Sequence, residues 1–467
     1  MQKNFTKLSA WDRIIHFKCE PCLFQQTLET EHLHVELHHQ RLSSDALSLL
    51  RDCAIEQHLD KAMEEWSKDI YQQPINPSFM FLRHLKASSL QSHQDAQDGR
   101  RLIETYAEKI RGGQWLGFSG LPITDVVNIG MGGSDLGPRL CVDVFNSSKT
   151  STINFHFISD AEPFGFDYCV KNLNPETTLF LVSSKSFTTE ETMSNAKRAM
   201  AWVNHPKALA HHFIAITANT EIAQQFEYQH ILPIWEWVVG RFSCFSAINL
   251  ISAIMLGYPG FESFLQGAHQ MDAHFINTPW QQNIPLMLAL IGIWNINVLN
   301  IPTQLMMVYA SRLRHIVNYV QQMDMESNGK FYNRHNEKIE YPTGPIIWGG
   351  LGNQAHHSYY QLLGQGSHQI AIDFLSVAEN DHALINNLCY SRKKILQHGI
   401  QTTTTAAMEI QQQMSINHIH LKSIQPAALG ELIAMYEHKV FTQAWIWNLN
   451  PFNQPGVECA KKHFQYK

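Results

Sequence analysis

Apolar and polar positions change rhythm along the chain. Over residues 1–100 the pattern is mostly that of polar and amphipathic helix, as over 44–63 and, just beyond, 98–111. At Ile123 short β-branched runs begin. Residues 123–129 and 178–183 each lead into a turn rich in Gly, Ser or Thr and then a helical stretch, and 213–217 is a third such run. The rhythm returns at 344–348, followed by a Gly-rich turn and a predicted helix over 355–363, with the next strand over 368–374. Between the two blocks lie helix-like segments at 261–276 and 285–293, with 304–322 beyond, and the tail over 427–447 reads as one long apolar helix. Strand, turn and helix in this order predict an α/β fold with two open, doubly wound parallel sheets and helical additions at both ends. In such sheets ligands bind at the carboxyl ends of the strands, which is where the unusual turns fall.

Composition narrows the function. Hydrophobic residues are 44% and charged residues 16% of 467, enough apolar matter for sizeable cores and too little charge for disorder. Lys and Arg number 35 against 41 Asp and Glu, a net charge of −6, which argues against holding nucleic acid by phosphate neutralisation. The stretch 285–310 is the most membrane-like, but Asn295, Asn297, Asn300 and Pro302 interrupt it. A spanning helix needs about 20 nearly unbroken apolar residues, so this reads as a buried helix followed by a break. The N-terminus has no long apolar core and carries acids early, unlike a secretory signal or a transit peptide. Eight Cys without such a signal point to reduced thiols, and the expected location is the cytoplasm.

Two turns suit an anion. Gly130-Met131-Gly132-Gly133-Ser134-Asp135 follows a predicted strand but has Asp135 where a dinucleotide fingerprint needs its third Gly, and it lacks the Gly-Lys-Ser/Thr of a nucleotide loop. What remains is a loop whose backbone N–H groups can approach an anion closely. Ser183-Ser184-Lys185-Ser186-Phe187-Thr188-Thr189-Glu190 gathers hydroxyls and a Lys at a helix start, more than an N-cap box requires. Two such turns without a nucleotide motif suggest a phosphorylated sugar or similar metabolite.

Three segments offer further chemistry. Arg241 follows a Gly beside aromatics, where a guanidinium could steady an oxyanion. Asp324 and Glu326, two apart before a turn, are both candidates for a general base. His356 and His357 follow a Gly-rich turn, and either suits acid/base work, although adjacent helical positions point about 100° apart and make a poor zinc pair. Cys19 and Cys22 with His34 and His38 imitate a zinc finger, but Gln26 and His32 occupy its core positions and basic residues are sparse.

The ordered segments IGMGGSDLGP, SSKSFTTEET, GRFSCFSAINL, QGAHQMDAHF, QMDMESNGK, HHSYYQLLGQGSH, YEHKVFTQAWIWNLN and FNQPGVECAKK, spanning roughly residues 125–462, closely resemble the glucose-6-phosphate isomerase family. The resemblance implies two sugar-isomerase (SIS) α/β domains at 111–265 and 266–467, with a helical segment over 1–110 packing on the second. It also implies a homodimer that interconverts glucose 6-phosphate and fructose 6-phosphate in glycolysis and gluconeogenesis, without metal or organic cofactor. By motif, the catalytic base falls on Glu326, the ring-opening His on His357, the assisting Lys on Lys461 and the enediolate-stabilising cation on Arg241. Phosphate contacts fall on Ser184, Lys185 through its backbone, Ser186 and Thr189, with Gly133 and Ser134 adjoining; Gln322 and Gln454 match substrate-contacting glutamines. The chain departs from the family pattern at Ser186, at His356, in the turn Gly352-Asn353-Gln354-Ala355, at Pro455 and at Cys459-Ala460.

Overall fold

The computed structural model describes residues 2–17, 23–84, 89–380, 383–400 and 414–463. In chain order its strands are β1 (Phe24–Glu29), β2 (Leu33–Gln40), β3 (Asp125–Gly130), β4 (Asn154–Ile158), β5 (Thr178–Ser183) and β6 (Phe213–Thr217). They continue as β7 (Ile231–Pro233), β8 (Thr303–Val308), β9 (Ile346–Leu351), β10 (Ala371–Val377) and β11 (Ser415–Leu421). The chain divides into two units, one of Ser78–His269 and one of Met1–Pro77 with Gln270–Lys467. Residues 78–110 therefore fall in the unit with β3–β7, not with the N-terminal segment to which the sequence reading assigned them.

The unit Ser78–His269 holds a five-stranded sheet ordered β4-β3-β5-β6-β7, parallel throughout. Every residue of β3, β5 and β6 is buried, which is why these strands read as continuous apolar runs. Val127, Ile129, Phe180, Val182 and Phe213 form part of the core on one face. In chain order the strands lie 2-1-3-4-5, so the winding reverses between β3 and β5 and opens a crevice at their carboxyl ends.

The other unit holds a six-stranded sheet ordered β1-β2-β11-β10-β8-β9. Its last four strands are parallel, while β1 and β2 form an antiparallel hairpin that adds to β11. Here the helical expectation for the N-terminus is corrected. Leu33, Val35 and Leu37 are buried and alternate with His34, Glu36 and His38, a period-two pattern that belongs to a strand. Residues 44–63 form two helices, Ser44–Glu56 and Leu59–Ser67, because His58 between them takes a left-handed backbone (φ 62°). The helix expected over 304–322 begins as β8 and becomes helix only at Ile316–Asn328. The Gly-rich turn after 344–348 is partly strand, since Gly349 and Gly350 lie within β9. Pro426–Ile446 is one helix, buried along almost its whole length against the helices Ile284–Asn297 and Ile316–Asn328. Among the described residues no helix is long and apolar enough to cross a membrane. Cys19 and Cys22 lie outside the described residues.

Candidate active site

In the unit Ser78–His269 both anion-type turns start side by side, because Gly130 at the end of β3 pairs with Ser183 at the end of β5. Asn128, fully buried in β3, joins them. Its Nδ2 donates to the Ser134 carbonyl (2.9 Å) and its Oδ1 accepts from the Ser183 hydroxyl (3.2 Å). Sequence reasoning missed Asn128, although a lone amide inside an apolar strand is the signal that would have found it.

Backbone packing fixes the first turn. A Cβ at Gly133 would sit 2.1 Å from the Gly240 carbonyl oxygen and 2.8 Å from the Arg241 nitrogen, so only Gly allows the turns Gly132–Ser134 and Gly240–Phe242 to touch. Arg241, 2% exposed, is thereby held next to Gly133.

Hydroxyls fix the second turn. The Ser184 Oγ accepts from the Phe187 N–H (3.1 Å) and meets the Thr189 hydroxyl (3.1 Å), while the Ser186 Oγ accepts from the Thr188 N–H (3.3 Å) and the Thr188 hydroxyl (2.9 Å). Thr189 is the N-cap of the helix Glu190–Val203, yet its side chain makes no capping bond. The hydroxyls thus shape the loop rather than cap the helix. Phe187, with a left-handed backbone (φ 55°), buries its ring in the core and anchors the loop from below. Lys185 directs its Nζ to the Glu236 carbonyl (2.6 Å) and carboxylate (3.3 Å), and its own carbonyl accepts from the Thr217 hydroxyl and the Ala218 N–H.

In the other unit the two carboxylates left open by the sequence separate cleanly. Asp324 is fully buried, paired with Lys439 Nζ at 2.9 Å and bonded to Asn328 Nδ2 at 2.8 Å. Glu326, near the end of the helix Ile316–Asn328, is half-buried and lines a cavity of about 780 Å³ together with Lys330, Arg334, Asn453, Gln454 and Pro455. Gln322, one turn back, donates from Nε2 to the Glu326 carboxylate at 3.3 Å. Lys330 Nζ caps the helix end through the carbonyls of Glu326 and Ser327. Glu326, Gln322 and Gln454 are therefore brought together.

His357 and Lys461 are not among the residues lining that cavity. His357 is exposed on the short turn Ala355–His357 beyond β9. The altered Gly352–Ala355 segment is nonetheless tightly held: a Cβ at Gly352 would lie 2.4 Å from the Tyr309 ring, and the Gly352 carbonyl accepts from Arg392 Nη1 at 2.9 Å. His356 stacks on Tyr360 (4.1 Å between centroids), and burial pushes its pKa down. Lys461 is exposed on the helix Pro455–His463. Pro455 is the first residue of that helix, where the missing N–H costs nothing.

A parallel-sheet α/β protein with anion-type turns at its strand ends, and a half-buried carboxylate on a cavity, has the make-up of an enzyme that acts on phosphorylated sugars. The chain belongs to the phosphoglucose isomerase family, which matches residues 82–465. It is 51% identical over 362 residues to a glucose-6-phosphate isomerase of Legionella pneumophila, covering 78% of this chain and 72% of that protein. It is 39% identical to the one from Psychrobacter cryohalolentis, over 77% and 71% of the two chains. The crystal structure of a glucose-6-phosphate isomerase from Chlamydia trachomatis superimposes with a TM-score of 0.88 at 25% identity, covering 98% of this chain and 95% of that one.

Proposed function

We propose that the protein interconverts glucose 6-phosphate and fructose 6-phosphate, with Glu326 as the group that moves the proton between carbons 1 and 2. The observation that carries this reading is the contrast within one helix turn. Asp324 is consumed by a buried cation, whereas Glu326 lines a cavity and its carboxylate accepts from Gln322.

In the proposed sequence His357, helped by Lys461, protonates the ring oxygen and opens the sugar. Glu326 then takes the proton from carbon 2 and returns it to carbon 1 on the same face. The charge that builds on the enediolate oxygens needs a fixed cation, and the role falls to Arg241. Gly133, Ser134, Ser184, Ser186, Thr189 and the Lys185 backbone are proposed to hold the phosphate, whose binding energy orients carbons remote from it. The working form proposed is a cytoplasmic homodimer acting without metal or organic cofactor.

The test couples fructose 6-phosphate turnover to a dehydrogenase and compares the wild type with Glu326→Gln. General acid–base catalysis contributes roughly 10²–10⁴-fold, so the variant should lose at least a hundredfold. Equal rates would reject the assignment.

A further inference from the structure

The helix Ile316–Asn328 must aim the Glu326 side chain, and a helix held only by apolar packing can roll or slide. Residues 324 and 326 lie about 200° apart around the helix axis, so Asp324 faces the core when Glu326 faces the cavity. Both carboxylate oxygens of Asp324 are used. Oδ2 binds Lys439 Nζ of the helix Pro426–Ile446 at 2.9 Å, and Oδ1 accepts from Asn328 Nδ2, one turn on, at 2.8 Å. Asp324 and Lys439 are 0% and 2% exposed.

Lys439 itself has little room to move. Its Nζ lies 3.4 Å from Gln304 Oε1 in β8, and Gly292 of the helix Ile284–Asn297 leaves just enough space for the Lys439 and Gln443 side chains. Behind it Asp373 in β10 accepts from Asn417 Nδ2 (2.8 Å) and the Tyr436 hydroxyl (3.1 Å). Burial pushes the Asp373 pKa up against the pull of Lys439, and the carboxylate in direct contact with the Lys439 ammonium is that of Asp324.

A buried ion pair is weak evidence for stability, because apolar residues of similar volume often serve as well or better. Its strength is direction. We infer that Asp324 and Lys439 are positioning residues for Glu326: their ion pair fixes the roll of the last helix turn, and thereby sets the rate of proton transfer rather than the affinity for substrate. The inference rests on Glu326 being the base.

The experiment measures kcat and KM for fructose 6-phosphate, together with thermal melting, in the full-length protein. Lys439→Met and Asp324→Asn should each lower kcat by ~10–100-fold with KM within about threefold, since a misplacement of ~1 Å can cost on the order of 100-fold. Lys439→Arg, which keeps the pair, should restore most of that loss. The double variant Asp324→Leu/Lys439→Met removes both partners of the pair together, so it should melt nearer the wild type than either single variant and still show the low kcat. Wild-type kcat in the Lys439→Met variant or the double variant overturns the inference, as does a loss that appears in KM with kcat preserved. Glu326→Gln, run in parallel, separates the two claims. If it keeps full turnover, the base assignment fails. If it abolishes turnover while the double variant is fully active, only the positioning role fails.

Discussion

The two sheets support their candidate site residues in opposite ways. At the ends of β3 and β5 the work is done by backbone and hydroxyls: Ser184 on Phe187 and Asn128 across to Ser134 are neighbours in sequence, and Gly133 meets the distant Gly240 backbone to backbone, with no side chain between them. In the unit of β8–β11 a side chain on a helix is held from far away in sequence, with Lys439 gripping Asp324 across 115 positions. Local scaffolds suit a group of fixed shape and charge such as phosphate. A distant buried grip suits a single atom that has to be aimed.

A pair of glycine substitutions breaks this comparison most sharply. Gly133→Ala sets a methyl 2.1 Å from a carbonyl oxygen whose backbone cannot turn aside, so the Gly240–Phe242 turn and Arg241 must shift. A fall in kcat/KM of about 100-fold is expected. Gly352→Ala meets the Tyr309 ring at 2.4 Å, and there a side chain can rotate at the cost of repacking. The expected loss is nearer ~10-fold, seen partly as a lower melting temperature. Equal losses in the two variants would show that the β3–β5 turns are not the stiffer scaffold.

Acid offers a gentler probe of the same contrast. In the unit of β8–β11, burial pushes His274 and His418 down to about 4. His274 Nε2 accepts from the Ile284 N–H, and Lys393 Nζ donates to His418 Nδ1 at 3.0 Å, so both rings are held neutral. The ordinary pKa of an unfolded His is about 6.5. Between that value and 4 the unfolded chain therefore binds protons that the folded one refuses, and stability falls as the pH falls. Going from pH 7 to pH 5 should cost roughly 2 kcal/mol for each of the two. Hydrogen exchange should show β10 and β11 losing protection; an unchanged profile at pH 5 would contradict it. Glu36, whose pKa is in spite of burial lowered by the Lys393 ammonium on its carboxylate, adds a further loss of the same sign only below about pH 4.5.

The sequence made the local scaffolds legible and left the distant ones dark. The strands ending in Gly130 and Ser183, and the turns after them, could be read because glycine, hydroxyl and apolar-run signals sit within about ten residues. The hairpin of β1 and β2 was missed although 33–40 alternates with period two; the abundant His and Glu on its outer face masked the strand signal. Gly349 and Gly350 suggested a turn and proved to lie in an edge strand. Asp324 and Glu326 could not be told apart by local pattern, because the partner that distinguishes them lies on another helix. The family motif points to Glu326, and the structure shows Asp324 buried and paired with Lys439.

The central claim is that the Glu326 carboxylate carries the proton between two neighbouring carbons. Its most direct test follows deuterium entering the sugar phosphates when the enzyme is incubated in heavy water with fructose 6-phosphate, using magnetic resonance or mass spectrometry. The account predicts incorporation at the reacting carbons with the wild type and at least a hundredfold slower incorporation with Glu326→Gln, at an unchanged melting temperature. Exchange at the wild-type rate in that variant would contradict it.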